Sequence, residues 1–194
     1  MICAISSVIV KWLLSTGAIS QQDKDLYEYA AYNFLFGLMP LCLVAVLGYI
    51  MGMEIEGILM ILPFILSRKF SGGFHLKSSG ICFISSTLLL LFFLFVIRLV
   101  INEELIILFT CFVVASVLQI FFCSPIDNDA KKLYEKEQKV FQKIARIMSA
   151  TFLAIYILLL AMGLLRFSIS IGAGILLTAL LQVPCFIVKE YRST

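Results

Sequence analysis

Residues 57–97 read GILMILPFILSRKFSGGFHLKSSGICFISSTLLLLFFLFVI. Two uncharged runs, of 11 and 20 residues, flank a loop that carries Arg68, Lys69, Lys77 and the chain's single histidine, His75. A helix rises 1.5 Å per residue, so the second run gives about 30 Å, the thickness of a bilayer's hydrocarbon core. The first run gives only about 16 Å and contains Pro63. It must either recruit the polar residues beside it or stop part-way through the membrane.

The same pattern recurs outward from this region. Uncharged runs cover 29–53, 105–123, 147–165 and 167–188, and with the first two they make up 116 of 194 residues. The whole chain is 62% hydrophobic and 14% charged, with a mean hydropathy of +1.07. Soluble domains are nearer half apolar and a quarter charged, which excludes a water-soluble enzyme. Disordered chains are poor in apolar residues, which excludes disorder. The length is too short for a twelve-helix transporter, because each span needs about 20 residues. The expected fold is an all-α integral membrane protein of one domain, residues 1–194, with six membrane segments, one of them short.

Residues 1–20 differ in kind. Ile2, Ile5, Ile9, Trp12, Leu13 and Thr16 recur at helical spacing, with Ser6, Ser7, Lys11 and Ser15 largely between them. This predicts a helix over 2–19 lying in the membrane interface; packing on the bundle is the alternative. A signal peptide is disfavoured, since no basic residue precedes Lys11.

Charge sets the expected orientation. With the N-terminus in the cytoplasm, 13 of the 15 basic residues fall on the inner side and only Arg98 and Arg166 on the outer. The acidic connectors at Glu54/Glu56 and Glu103/Glu104 then face out. This is the positive-inside pattern and puts both ends in the cytoplasm. The basic residues read as topology determinants that also meet lipid headgroups, and the net charge of +3 gives no reason to expect nucleic acid.

Two loops then share the inner side. The first four segments occupy 29–123, with the loop 68–82 among them. A basic loop, 124–146, reads SPIDNDAKKLYEKEQKVFQKIAR. It opens on a turn signal and continues as mixed charges at helical spacing, a short solvated helix leading into the last two segments, 147–188. Its charge run is either a wetted face or a docking surface for an acidic segment.

His75 and Cys82 are the candidate chemistry. A cysteine nucleophile needs a base, and histidine is the usual one. Seven residues of straight helix would part them by about 10 Å, too far for a hydrogen bond of about 3 Å. The pair therefore requires a backbone bend, which Gly72, Gly73 or Gly80 can supply. Spacing alone leaves open the alternative of an interfacial histidine and a packing cysteine. Cys123 is the rival nucleophile; Cys42, Cys111 and Cys185 lie in apolar spans, and free thiols are expected throughout. Ser78, Asp127 and Asn128 are candidates to orient His75. With one histidine and no carboxylate between Glu56 and Glu103, no metal ligand set is apparent and no cofactor is expected.

The run Arg68–Cys82, RKFSGGFHLKSSGIC, resembles the AgrB (accessory gene regulator B) family of membrane cysteine endopeptidases. That family carries a basic pair, a Gly-x-His step and a cysteine seven residues after the histidine. SPIDN followed by lysines resembles its second loop, and the length, amphipathic start and alternating topology agree. The resemblance implies an enzyme of the bacterial cytoplasmic membrane that cuts the acidic tail from an AgrD-like quorum-sensing pro-peptide. It implies Cys82 as nucleophile and His75 as base on the cytoplasmic side, with Arg68, Gly72 and Gly73 supporting the active loop. The product is a thiolactone or lactone closed from an acyl-enzyme thioester. Charge complementarity suggests Lys69, Lys77, Lys131 and Lys132 for the tail. A homodimer is expected, with Gly163 and Gly172-x-Gly174 as close-packing candidates, although packing within one chain explains them equally well. The competing functions are a small transporter or exporter subunit, which would want intramembrane charges, and a non-catalytic membrane scaffold. The main polar side chains in the spans are uncharged: Asn33, Gln119 and Gln182.

Overall fold

The computed structural model describes residues 2–72, 79–102, 105–126 and 135–185. It is helical throughout these residues: α1 (Ile2–Ser15), a 3-10 turn (Gln21–Asp23), α2 (Lys24–Met51), α3 (Glu54–Ser71), α4 (Ser79–Asn102), α5 (Ile106–Cys123), α6 (Glu135–Ala161) and α7 (Leu165–Leu180). Each of the six uncharged runs overlaps one of α2 to α7. Among the described residues, five stretches are long and apolar enough to cross a membrane: Gln21–Met51, Phe83–Ile101, Ile106–Cys123, Glu137–Ala161 and Leu165–Cys185. The chain forms two compact units, Met1–Leu43 and the described residues of Val44–Thr194.

In the first unit, α1 stops at Ser15 rather than at residue 19, because Gly17 turns the chain at φ +70°. Ile5, Val8 and Trp12 are exposed, while Ser6 and Val10 are buried. The outward residues are thus a largely apolar stripe at helical spacing, as an interfacial helix needs.

The second unit is built around α7, which packs on α3, α4, α5 and α6. The 11-residue run extends by three residues at its start and four at its end, so α3 has 18 residues and a length of about 27 Å. The added residues carry Glu54, Glu56, Arg68 and Lys69. Protein rather than lipid surrounds much of this helix. It packs most extensively on α7, and then on α6. Met60, Ile61, Pro63 and Phe64 are buried at these contacts.

Small residues allow that close packing. Gly174 on α7 lies so near α3 that a Cβ would collide with the Met60 carbonyl oxygen and stand 2.6 Å from Pro63 Cγ. A Cβ at Gly172 would meet Phe109, Val113 and Tyr156 side chains at 2.9 Å each. These glycines serve packing within the chain. Gly163 does something else, turning the α6–α7 connection at φ +74° with open space around it. Polar groups deep in the bundle are paired: Thr110 Oγ1 and Tyr156 Oη are 2.7 Å apart, and Ser168 Oγ donates to the Tyr156 carbonyl at 3.0 Å.

The starts of α3 and α7 are joined by an ion pair. Arg166 Nε lies 3.4 Å from Glu56 Oε1; Glu56 is 8% exposed and Arg166 68%. Removing the arginine strands a buried carboxylate. Because Arg166 itself is largely exposed, Arg166→Met is expected to cost only about 1 kcal/mol. Thermal unfolding in detergent should show Glu56→Gln restoring part of that loss in the double variant.

Candidate active site

The loop before Cys82 leaves α3 at a sharply defined point. α3 ends at Ser71, and Gly72 caps it with φ +76° and ψ −172°, its N–H donating to the Arg68 carbonyl at 3.2 Å. A positive φ favours glycine. Space demands it too, since a Cβ here would stand 2.5 Å from the Ile126 carbonyl oxygen. Of the bends the sequence allowed, Gly72 is one the chain uses. Gly80 is not, being helical with open space around it.

Beyond that cap, Gly73, His75, Lys77 and Ser78 lie outside the described residues, as do Asp127, Asn128, Lys131 and Lys132 of the second loop. The Cys82 backbone is described, as the fourth residue of α4; its side chain is not. Cys82 therefore belongs to the first turn of a helix, where backbone N–H groups lack intrahelical acceptors and the dipole favours an anion.

Aromatic contacts hold the end of α3 beside this loop. Arg68 stands over the Phe64 ring, 5.4 Å from its centroid, and exposed Lys69 stands 5.8 Å from that of Phe70. Phe70 makes an edge contact with Phe141 of α6 at 5.6 Å. The charged run expected as a short solvated helix leading into the next segment is, from Glu135 on, the start of α6 itself. Its 27 residues span about 40 Å, roughly 10 Å more than a hydrocarbon core. The extra length places the start of α6 beside the end of α3. Lys139 and Lys143 are exposed there. Arg146 anchors this end by donating from Nε to the Phe121 carbonyl at 3.1 Å, one of the last carbonyls of α5.

Sequence reasoning missed a buried polar node at the same level. Ile126 N–H donates to the Ser71 carbonyl at 3.1 Å. Gln182 Nε2 donates to that same carbonyl at 3.3 Å and to Ser124 Oγ at 2.9 Å. Gln119 Nε2 donates to the Ala179 carbonyl at 2.9 Å and reaches Gln182 Oε1 at 3.5 Å. Ser71 and Gln182 are 0% exposed and Ser124 2%. The sequence did signal part of this: Gln119 and Gln182 are conspicuous polar residues in apolar runs.

A bundle of long apolar helices, in which the ends of α3 and α5 meet at a buried polar node, defines a multi-pass membrane protein. Comparison with known proteins narrows that class. The family model for accessory gene regulator B matches residues 4–185. The chain belongs to the AgrB family, which connects it with agr quorum-sensing processing. The AgrB-like protein 2 of Clostridium perfringens (strain 13 / Type A) is 25% identical over 149 residues, 74% of this chain and 70% of that protein. No solved structure matches.

Proposed function

We propose that this protein is a membrane cysteine endopeptidase that removes the C-terminal tail of an AgrD-like pro-peptide and leaves the core as a thioester on Cys82. The observation that carries this reading is the place of Cys82. It lies in the first turn of an apolar helix, seven residues after the only histidine, in a chain that matches the family over nearly its whole length.

The chemistry follows from those groups. The Cys82 thiolate attacks the scissile carbonyl, and the oxyanion of the tetrahedral intermediate collapses as the C–N bond breaks. His75, protonated when it accepts the thiol proton, returns that proton to the leaving amine. The tail departs as a free amine. The peptide's own thiol or hydroxyl then attacks the thioester, gives its proton to His75, closes the ring and releases Cys82 as thiolate. When the attacking group is a thiol, one thioester replaces another at little energetic cost. A site at the membrane boundary limits the water that would divert the intermediate to hydrolysis.

In this reading both ends and the active loop face the cytoplasm, and Asp127, Asn128 and Ser78 are candidates to orient His75. Gly73 supports the loop beside Gly72. The enzyme acts as a homodimer in a bacterial cytoplasmic membrane. Its dimer contacts lie away from Gly172 and Gly174, since α3, α5 and α6 occupy those positions. A transport subunit has less support. Among the described residues no buried side-chain polar atom is without a partner, so the polar groups inside the bundle are used in packing.

The tail-binding part is tested by charge. Lys69, Lys77, Lys131 and Lys132 would attract an acidic tail, with exposed Lys139 and Lys143 nearby on α6. Lys131→Glu with Lys132→Glu is expected to raise KM about tenfold, with a smaller change in kcat and a weaker dependence on salt. Tail release is measured on the pro-peptide in membranes of stated ionic strength. Unchanged KM and salt dependence would remove these lysines from the substrate site. The function as a whole is tested by co-expressing this protein with the pro-peptide and detecting the free tail. Intact pro-peptide in the presence of membrane-inserted protein would overturn it.

A further inference from the structure

The node at Gln182 joins three parts of the chain that lie far apart in sequence. Ser71 ends α3, Ser124 follows α5, and Gln182 follows α7. Both loops of the proposed site leave from it. Gly72 is the last described residue before 73–78, and Ile126 the last before 127–134. His75 follows Gly72 by three residues, and Asp127 follows Ile126 directly.

The hydrogen bonds at the node are directional. The carbonyls at the end of α3 have no intrahelical partners, and the one at Ser71 accepts two donors, from Ile126 N–H and Gln182 Nε2. The same Gln182 amide nitrogen donates to Ser124 Oγ. One side chain therefore holds the starts of both loops in a single register. The fit is tight, because Gly72 has no room for a Cβ against Ile126. Burial keeps water from replacing these bonds, and a buried amide left without partners is costly. Nothing in the proposed chemistry requires Gln182 to touch substrate.

We propose that Gln182 is a positioning residue for the catalytic loop: through the Ser71 carbonyl and Ser124 it fixes where the segment carrying His75 leaves α3 relative to the basic loop. This rests on the reading of Cys82 and His75 as the reacting pair. It predicts that loss of the Gln182 amide misplaces His75 while leaving Cys82 and the bundle in place.

The test compares wild type, Gln182→Met and His75→Ala in native membranes. Two readouts are taken: kcat and KM for tail release from the pro-peptide, and the pH profile of Cys82 alkylation followed by mass spectrometry of its peptide. Gln182→Met is expected to lower kcat by about ten- to a hundredfold, as small misplacements of reacting groups do, with KM changed less than about threefold. Its alkylation profile should move up toward that of a free thiol, near pH 8.5, as that of His75→Ala should. A shifted profile in His75→Ala beside a wild-type kcat and profile in Gln182→Met would overturn the positioning role and leave the pair intact. An unshifted profile and full tail release in His75→Ala would overturn the pair, and the positioning role with it. If Gln182→Met fails to accumulate, Ser124→Ala replaces it. That variant removes one acceptor and is expected to lower kcat about threefold with the same direction of shift; wild-type values for it would overturn the proposal.

Discussion

Cys82→Ala is expected to abolish release of the pro-peptide tail, with a loss of about 10⁴-fold or more, below detection in a co-expression assay. The size follows from the nature of the step. Without the sulfur no thioester forms, and water at the membrane boundary is a poor substitute nucleophile for a peptide bond. His75→Ala should be nearly as damaging at neutral pH but should differ in its pH dependence. A cysteine without its base is mostly thiol below its ordinary pKa of about 8.5 and becomes thiolate above it. Residual activity of His75→Ala should therefore rise with pH through that range, while Cys82→Ala stays inactive throughout. Cys123→Ala, the rival position, should release tail normally. Tail release that survives both Cys82→Ala and His75→Ala would end the dyad.

Gly174→Val should produce the largest loss of stability. The obstacle at this site is the Met60 backbone carbonyl together with the Pro63 ring, and neither can rotate out of the way. A side chain here must push α3 and α7 apart along the most extensive helix contact among the described residues. Overpacking typically costs 1–3 kcal/mol, and against rigid backbone the upper end applies, about 3 kcal/mol or more. That is a large share of the about 5–15 kcal/mol that stabilises a folded domain. The expected outcome is loss of membrane-inserted, detergent-stable protein, measured as monodisperse yield and thermal midpoint. Gly172→Ala should be milder, because its neighbours are side chains that can adjust. Gly37→Ala has open space around it and should behave as wild type. A wild-type midpoint for Gly174→Val would mean that α3 and α7 do not pack as described.

Hydropathy made most of this fold legible. Lipid is a uniform apolar solvent, so runs such as 105–123 report their helices directly, and α5 (Ile106–Cys123) matches that run within a residue. The same reasoning fails where protein replaces lipid. α3 is seven residues longer than its uncharged run, because its terminal charges are met by Arg166, by aromatic rings and by the water beyond the bilayer. α6 shows where such a run begins. Its charged first turns, expected as a short solvated helix leading into the next segment, join that segment in one unbroken helix.

The candidate site could be read only in its local part. A seven-residue spacing from the one histidine made Cys82 and His75 candidates, and three glycines offered a bend. That the bend sits at Gly72, and that it is forced by Ile126, depends on a contact across more than fifty residues of sequence. Gln182 stood out as a polar residue in an apolar run. Its partners, Ser71 and Ser124, lie 111 and 58 residues away, and no periodicity connects them.

The central claim is a covalent bond between the peptide and Cys82. A pro-peptide in which the ring-closing residue is replaced by alanine can lose its tail but cannot leave the enzyme by cyclising. Incubated with wild-type membranes and analysed intact under acid, the protein should gain the mass of the N-terminal peptide fragment less one water, and digestion should place the adduct on Cys82. Tail release with no adduct, or with an adduct on Cys123, would contradict the account.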